Sequence, residues 1–189
     1  MEVGENRTTS GNGPRIVRIG THALSEGSST SLWTRLSQHK GAEKSGGGHH
    51  RGSIFRLIVG TALKSRHGFD VPTWGIGNTA PADVRSAEVE LEIAVSMAIR
   101  AMPFLWIPIE DEPGRTSLRG YVERNAIALL SNWSKEPIDP PSATWLGSLC
   151  DRERVRRSGL WNQNHVDESC DPDFIRCVER LVADIRPAT

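Results

Sequence analysis

Arg35 and His39 stand four residues apart in the run Ser31-Leu32-Trp33-Thr34-Arg35-Leu36-Ser37-Gln38-His39. On a helix that spacing projects a permanent cation and a group that titrates near neutral pH from one face. Ten residues later His49, His50 and Arg51 follow three consecutive glycines, and far downstream Glu123 lies among apolar neighbours. A carboxylate at the edge of an apolar helix face calls for a partner or a metal. A guanidinium, several imidazoles and a carboxylate together suit work on a phosphate: one neutralises charge, another moves a proton, the last holds a cation. Singly, each residue also fits a plainer role, as a solvated arginine, a surface histidine or an idle loop.

The elements that position these groups can be read from pattern. Arg15-Ile16-Val17-Arg18-Ile19-Gly20 places Val17 and Ile19 between arginines at a period of two and stops at glycine, which predicts a short strand. Thr30 or Ser31 can cap a helix whose apolar members are Leu32, Trp33 and Leu36. Residues 41–53 read as a flexible glycine loop, and Ser53 to Leu63 as a second helix packed under the first, with Gly68 near its end. Residues 82–102 give the clearest helix, with Val84, Ala87, Leu91, Val95, Ala98 and Met102 stepping by three or four. Phe104 to Ile109 predicts an apolar strand, with Pro108 suggesting an edge or a strand end. Ser117 caps a helix over 118–130 that carries Tyr121, Val122, Glu123 and Ile127. Short helices over 151–157 and 174–185 complete the reading.

Composition narrows the setting. With 189 residues, 37% hydrophobic and 24% charged, the chain suits one ordinary globular domain. No apolar run approaches a membrane span and Met1-Glu2-Val3-Gly4-Glu5-Asn6-Arg7 has no apolar signal core, so a cytoplasmic location is expected. Three cysteines (150, 170, 177) argue against a disulfide scaffold, and His165, Cys170 and Cys177 match no standard zinc spacing. Gly75-Ile76-Gly77-Asn78-Thr79-Ala80 lacks the strand and acidic residue of a dinucleotide fingerprint. The zero net charge is unevenly spread: residues 1–70 hold 10 Lys and Arg against 5 Asp and Glu, whereas residues 71–118 hold 3 against 7. The basic part is the part that contains Arg18, Arg35 and Arg51, and such a surface attracts phosphate.

The order of these features resembles the GIY-YIG nuclease superfamily. Val17-Arg18-Ile19-Gly20 is similar to the strand that ends in Tyr-Ile-Gly or Tyr-Val-Gly. Leu32-Trp33-Thr34-Arg35-Leu36-Ser37-Gln38-His39 is similar to the following helix with Arg-Leu-x-x-His. Tyr121-Val122-Glu123-Arg124-Asn125-Ala126-Ile127 resembles the helix bearing a metal-binding Glu, and Asn132 the asparagine that often follows it. The resemblance implies an α+β fold, a small antiparallel sheet of about three strands flanked by helices. It covers about residues 15–133 and implies a nuclease domain over 1–133, with 134–189 a helical extension packed on it. It further implies a metal-dependent endonuclease that hydrolyses phosphodiester bonds in DNA, with one Mg²⁺ or Mn²⁺ on Glu123 and Arg35 on the phosphate oxygens. A tyrosine usually serves as general base; Tyr121 is the chain's single tyrosine, and His39 or His50 could accept the proton instead. Arg18, His49, Arg51, Arg119 and Asn132 are the expected nucleic-acid contacts. Arg18 stands where the family has tyrosine, and the first Gly-Ile-Tyr strand is missing before it. Met1-Glu2-Val3 is read as its remnant, with the natural start upstream. Those departures also allow a catalytically inactive nucleic-acid-binding module of the same fold.

Overall fold

A computed structural model describes residues 14–42 and 44–185, so the expected remnant strand at Met1 to Val3 lies outside the described residues. Six α-helices follow in chain order: α1 (Leu32–Lys40), α2 (Ile54–His67), α3 (Ala82–Arg100), α4 (Leu118–Leu130), α5 (Glu153–Ser158) and α6 (Phe174–Ala183). Short 3-10 turns lie at His50–Gly52 and Leu146–Leu149. The starts of α1, α2 and α4 have one local cause. Ser31, Ser53 and Ser117 each accept a hydrogen bond from a main-chain N–H of the first turn, satisfying a donor the helix cannot. Gly68 ends α2 in the left-handed conformation, φ 70°, and returns its N–H to the Lys64 carbonyl.

Helix α2 is the central element. Phe55, Ile58, Val59, Ala62 and Leu63 are buried on it and meet Leu91, Val95, Ala98 and Ile99 of α3. Trp74 packs against Gly60, where a Cβ would come within 2.1 Å of the indole, so glycine is what lets the ring approach the helix. Trp145, Cys150, Val155 and Trp161 belong to the same core. A second, smaller cluster joins Ile127 of α4 to Leu160 and Val166, with Ile19, Leu130 and Trp133 against it. Each fully buried aliphatic chain of this kind contributes about 1.5–3 kcal/mol. Among the described residues no helix is long and apolar enough to cross a membrane.

The expected sheet is not there. Among the described residues the structure is helical, with no strand beyond an isolated bridge at Pro14, which overturns the α+β fold with an antiparallel sheet flanked by helices. Residues 15–20 are non-helical, as the alternation suggests, but their partner is not a strand. The Trp161 N–H donates to the Val17 carbonyl at 2.7 Å. Beyond it, the Asn162 side-chain amide takes over, accepting from the Ile19 N–H (3.1 Å) and donating to the Ile19 carbonyl (2.8 Å). A side chain therefore satisfies both groups that a neighbouring strand would have paired. Residues 104–109 also form no ladder: Leu105 is 94% exposed, and Pro103 and Pro108 offer no N–H. Period-two alternation and apolar runs report extension, and extension becomes sheet only where a second backbone is in register.

Candidate active site

The strap at residues 15–21 passes between α2, α4 and the turn at Trp161. From it Arg18 reaches inward: its Nη1 donates to the Trp161 carbonyl at 2.7 Å, and its guanidinium lies 5.3 Å from the Phe55 ring centroid. His39, at the end of α1, meets the same ring edge-on at 5.5 Å. Phe55 thus sits between a guanidinium and an imidazole, fixing both. Glu123 projects from the second turn of α4 towards the strap's end, where the main-chain N–H of Thr21 favours its ionised form.

Electrostatics tie these groups into one constellation. Burial pushes the Glu123 carboxyl above its ordinary pKa, and Arg18 foremost, then the Thr21 N–H, His165 and Arg35, pull it back. Burial lowers Arg18 to about 10, opposed by Glu123 and reinforced by Arg35; it remains a cation at neutral pH. His39 is lowered to about 4 by burial, then by the positive charges of Arg18, Arg35 and Arg56, and is neutral at working pH. Its Nδ1 lies 2.7 Å from the Ser53 hydroxyl oxygen, which also accepts the Arg56 N–H at 3.3 Å. A serine oxygen has two acceptor lone pairs, so it can take both bonds and leave His39 Nε2 free. Arg35 is partly buried, with one contact to the Gln38 side chain at 3.2 Å.

Arg18 and Arg35 thus bear on both His39 and Glu123, whereas the other sequence candidates are held by different partners. His50 is buried with both ring nitrogens engaged: Nε2 accepts the Gly75 N–H at 3.1 Å, so Nδ1 carries the proton and donates to Glu92 at 2.9 Å. Its ring stacks on Trp74 at 3.8 Å. Arg51 forms a two-pronged pair with Glu88, at 2.6 and 2.7 Å. His49 is exposed and accepts the Gly52 N–H at 3.1 Å. Tyr121 faces α6, edge-on to Phe174 at 6.2 Å, and burial followed by Asp171 raises its phenol. Arg119 pairs with Asp111 and lies 3.1 Å from His22 Nε2. Asn132 bonds to the Ser158 and Asp139 carbonyls. The described residues of the glycine loop run over α2 and α3. A buried anchor lies under it: Arg56 packs so closely against Gly48 that a Cβ there would come within 2.1 Å, and it donates to the Glu92 carboxylate, the Glu92 and His39 carbonyls and the Ser96 hydroxyl.

Sequence reading missed this anchor and the strap's clamp. Glu88 and Glu92 share the face of α3 that buries Leu91 and Val95, so two carboxylates on an apolar stripe were the available signal. Nothing in the sequence marks Asn162.

The whole chain also has a family. A family model described as the GIY-YIG domain matches residues 1–188. The chain belongs to the GIY-YIG domain family. Neither a comparison with curated proteins nor one with solved structures finds a match. The match extends through α5 and α6, the region that supplies Trp161 and Asn162 to the strap. GIY-YIG domains are nuclease domains, which points to a nucleic-acid substrate. Among the described residues no group of three His, Cys, Asp or Glu could hold a metal ion. Glu123 is a lone hard donor flanked by two arginines, a donor set that fits a magnesium-like cation arriving with phosphate oxygens and water.

Proposed function

We propose that this GIY-YIG domain is a metal-dependent endonuclease that hydrolyses phosphodiester bonds in DNA. The observation that carries the reading is the shared electrostatic neighbourhood of Arg18, Arg35, His39 and Glu123. Arg35 binds the non-bridging oxygens as negative charge grows on them, a contribution larger in the transition state than in the ground state. Arg18 makes a second phosphate contact and favours the ionised form of Glu123 against its burial. His39 takes the proton from the attacking water on Nε2, because a base must be neutral before the reaction and its neighbours hold it so. The P–O bond then breaks and the leaving oxygen is protonated from solvent. Glu123 holds the divalent cation, Mg²⁺ or Mn²⁺, which when bound neutralises the phosphate and the leaving oxygen.

A plasmid-nicking assay with Mg²⁺ tests this. Glu123→Gln and Arg35→Ala are each expected to lower cleavage at least about 100-fold; wild-type rates in both variants refute the assignment. One observation supports a second reading: Arg18 already supplies Glu123 with a positive neighbour. If that cation replaces the metal, the domain binds nucleic acid without cutting it. Binding that is equal in Mg²⁺ and in EDTA, with no nicking, would select the binding module.

A further inference from the structure

We infer that Trp33, Phe104 and Trp106 form a stacking platform for unpaired nucleobases, an inference that rests on the proposed nucleic-acid substrate. The three rings form a closed triad, with centroids 6.2 Å apart for Trp33–Phe104, 6.2 Å for Trp33–Trp106 and 5.9 Å for Phe104–Trp106. They hold one another, yet they are not core: Trp33 is 59% and Trp106 56% exposed, and Leu105 between the two ring residues is 94% exposed. Exposed apolar side chains clustered in this way mark a binding site, because leaving them in water forfeits about 25 cal/mol per Å². The remaining tryptophans are accounted for differently. Trp74, Trp145 and Trp161 are buried, and Trp133 is covered by the Arg157 guanidinium at 4.0 Å.

The occupant is set by chemistry at the rim. Lys40 Nζ lies 4.5 Å from the Phe104 ring centroid. Arg100 donates to the carbonyls of Lys40 and Gly41, at 3.0 and 3.1 Å, bringing a second cation to that end of α1. Arg35, two residues beyond Trp33, projects from another side of α1, so Lys40 and Arg100 are the cations at this rim. Flat aromatic faces edged by cations match bases joined by phosphates: rings stack on bases whatever their identity, at about 1–3 kcal/mol per base, and the cations meet the backbone. A paired base hides both faces in the duplex, so the platform takes frayed, flipped or single-stranded nucleotides.

The test uses the full chain in EDTA, where no cleavage occurs, with tryptophan fluorescence as the readout. One probe is a single-stranded oligodeoxynucleotide; the other is an abasic strand of equal length and charge. The base-bearing strand is expected to quench the exposed indoles and to bind about tenfold more tightly than the abasic one. Trp33→Leu and Trp106→Leu each lose about tenfold in affinity, whereas Trp33→Phe and Trp106→Phe keep most of it. Equal binding of the abasic strand, or leucine serving as well as phenylalanine, overturns the platform. So does self-association that Trp106→Leu abolishes, which would assign the patch to a second copy of the chain. Failure here is distinguishable from failure of the nuclease reading. Plasmid nicking without base-dependent quenching removes the platform alone, and base-dependent quenching in a protein that never nicks supports the platform and removes hydrolysis.

Discussion

His39 is uncharged because of where it sits. Its ring lies between Phe55 and Ser53, and three guanidiniums, Arg18, Arg35 and Arg56, bear on it. The unfolded chain protonates a histidine near pH 6.5, the folded one at about 4. Between those values the unfolded state binds more protons, so stability rises with pH across the window, and the whole penalty is present below it. Thermal melts of wild type and His39→Gln from pH 4 to 7 should show the wild type losing more stability on acidification, by about 1–2 kcal/mol once partial exposure is allowed for. Parallel slopes would remove His39 as the source. Arg18 acts on two groups in one direction: it lowers both Glu123 and His39. Replacing it with methionine lets both rise, so the acidic limb of the pH–cleavage profile should move to higher pH. An unmoved limb would show that neither group is the one titrating in catalysis.

At the scale of elements, α2 shows why local propensity is a poor guide here. Alanine at Gly60 should gain about 1 kcal/mol of helix propensity. The space is taken, however, by the Trp74 indole, which cannot give way: its Nε1–H bonds the Leu57 carbonyl at 3.1 Å and its face stacks on His50. Gly60→Ala is therefore expected to destabilise by about 1–3 kcal/mol in urea unfolding; a stabilised variant would mean the ring is mobile. The helices were readable because their information is local, in serine caps, glycine stops and a three-to-four step. The strap and the 104–109 run read as strands and are neither strand nor helix, because what pairs with a non-helical backbone is decided elsewhere in the chain. The candidate site divides the same way. Arg35 and His39 share a helix face by spacing alone, and Glu123 stands out as a carboxylate among apolar neighbours. His50 and Arg51 looked equally available, but their partners Glu92 and Glu88 lie 42 and 37 residues away.

Across the whole molecule, residues 145–162 connect stability to the site. Trp145, Cys150, Val155 and Trp161 complete the core around α2, and the chain leaving that core holds the strap through Trp161 and Asn162. The strap in turn carries Arg18, and with the Thr21 N–H it bears on Glu123. Asn162 is buried and serves both main-chain groups of Ile19, so its loss strands a donor and an acceptor together. Asn162→Ala should cost about 2–4 kcal/mol, from roughly 1–3 kcal/mol per unsatisfied group. Asn162→Asp keeps the acceptor for the Ile19 N–H but cannot donate to its carbonyl, and should fall between alanine and wild type. If the strap only stabilises, both variants will cleave DNA normally wherever they are folded. If it positions Arg18 and Thr21, kcat will fall at temperatures well below the melting transition, in the same order as the hydrogen bonds lost. A full kcat in folded Asn162→Ala would separate the C-terminal region from the site and leave it a purely structural part of the domain.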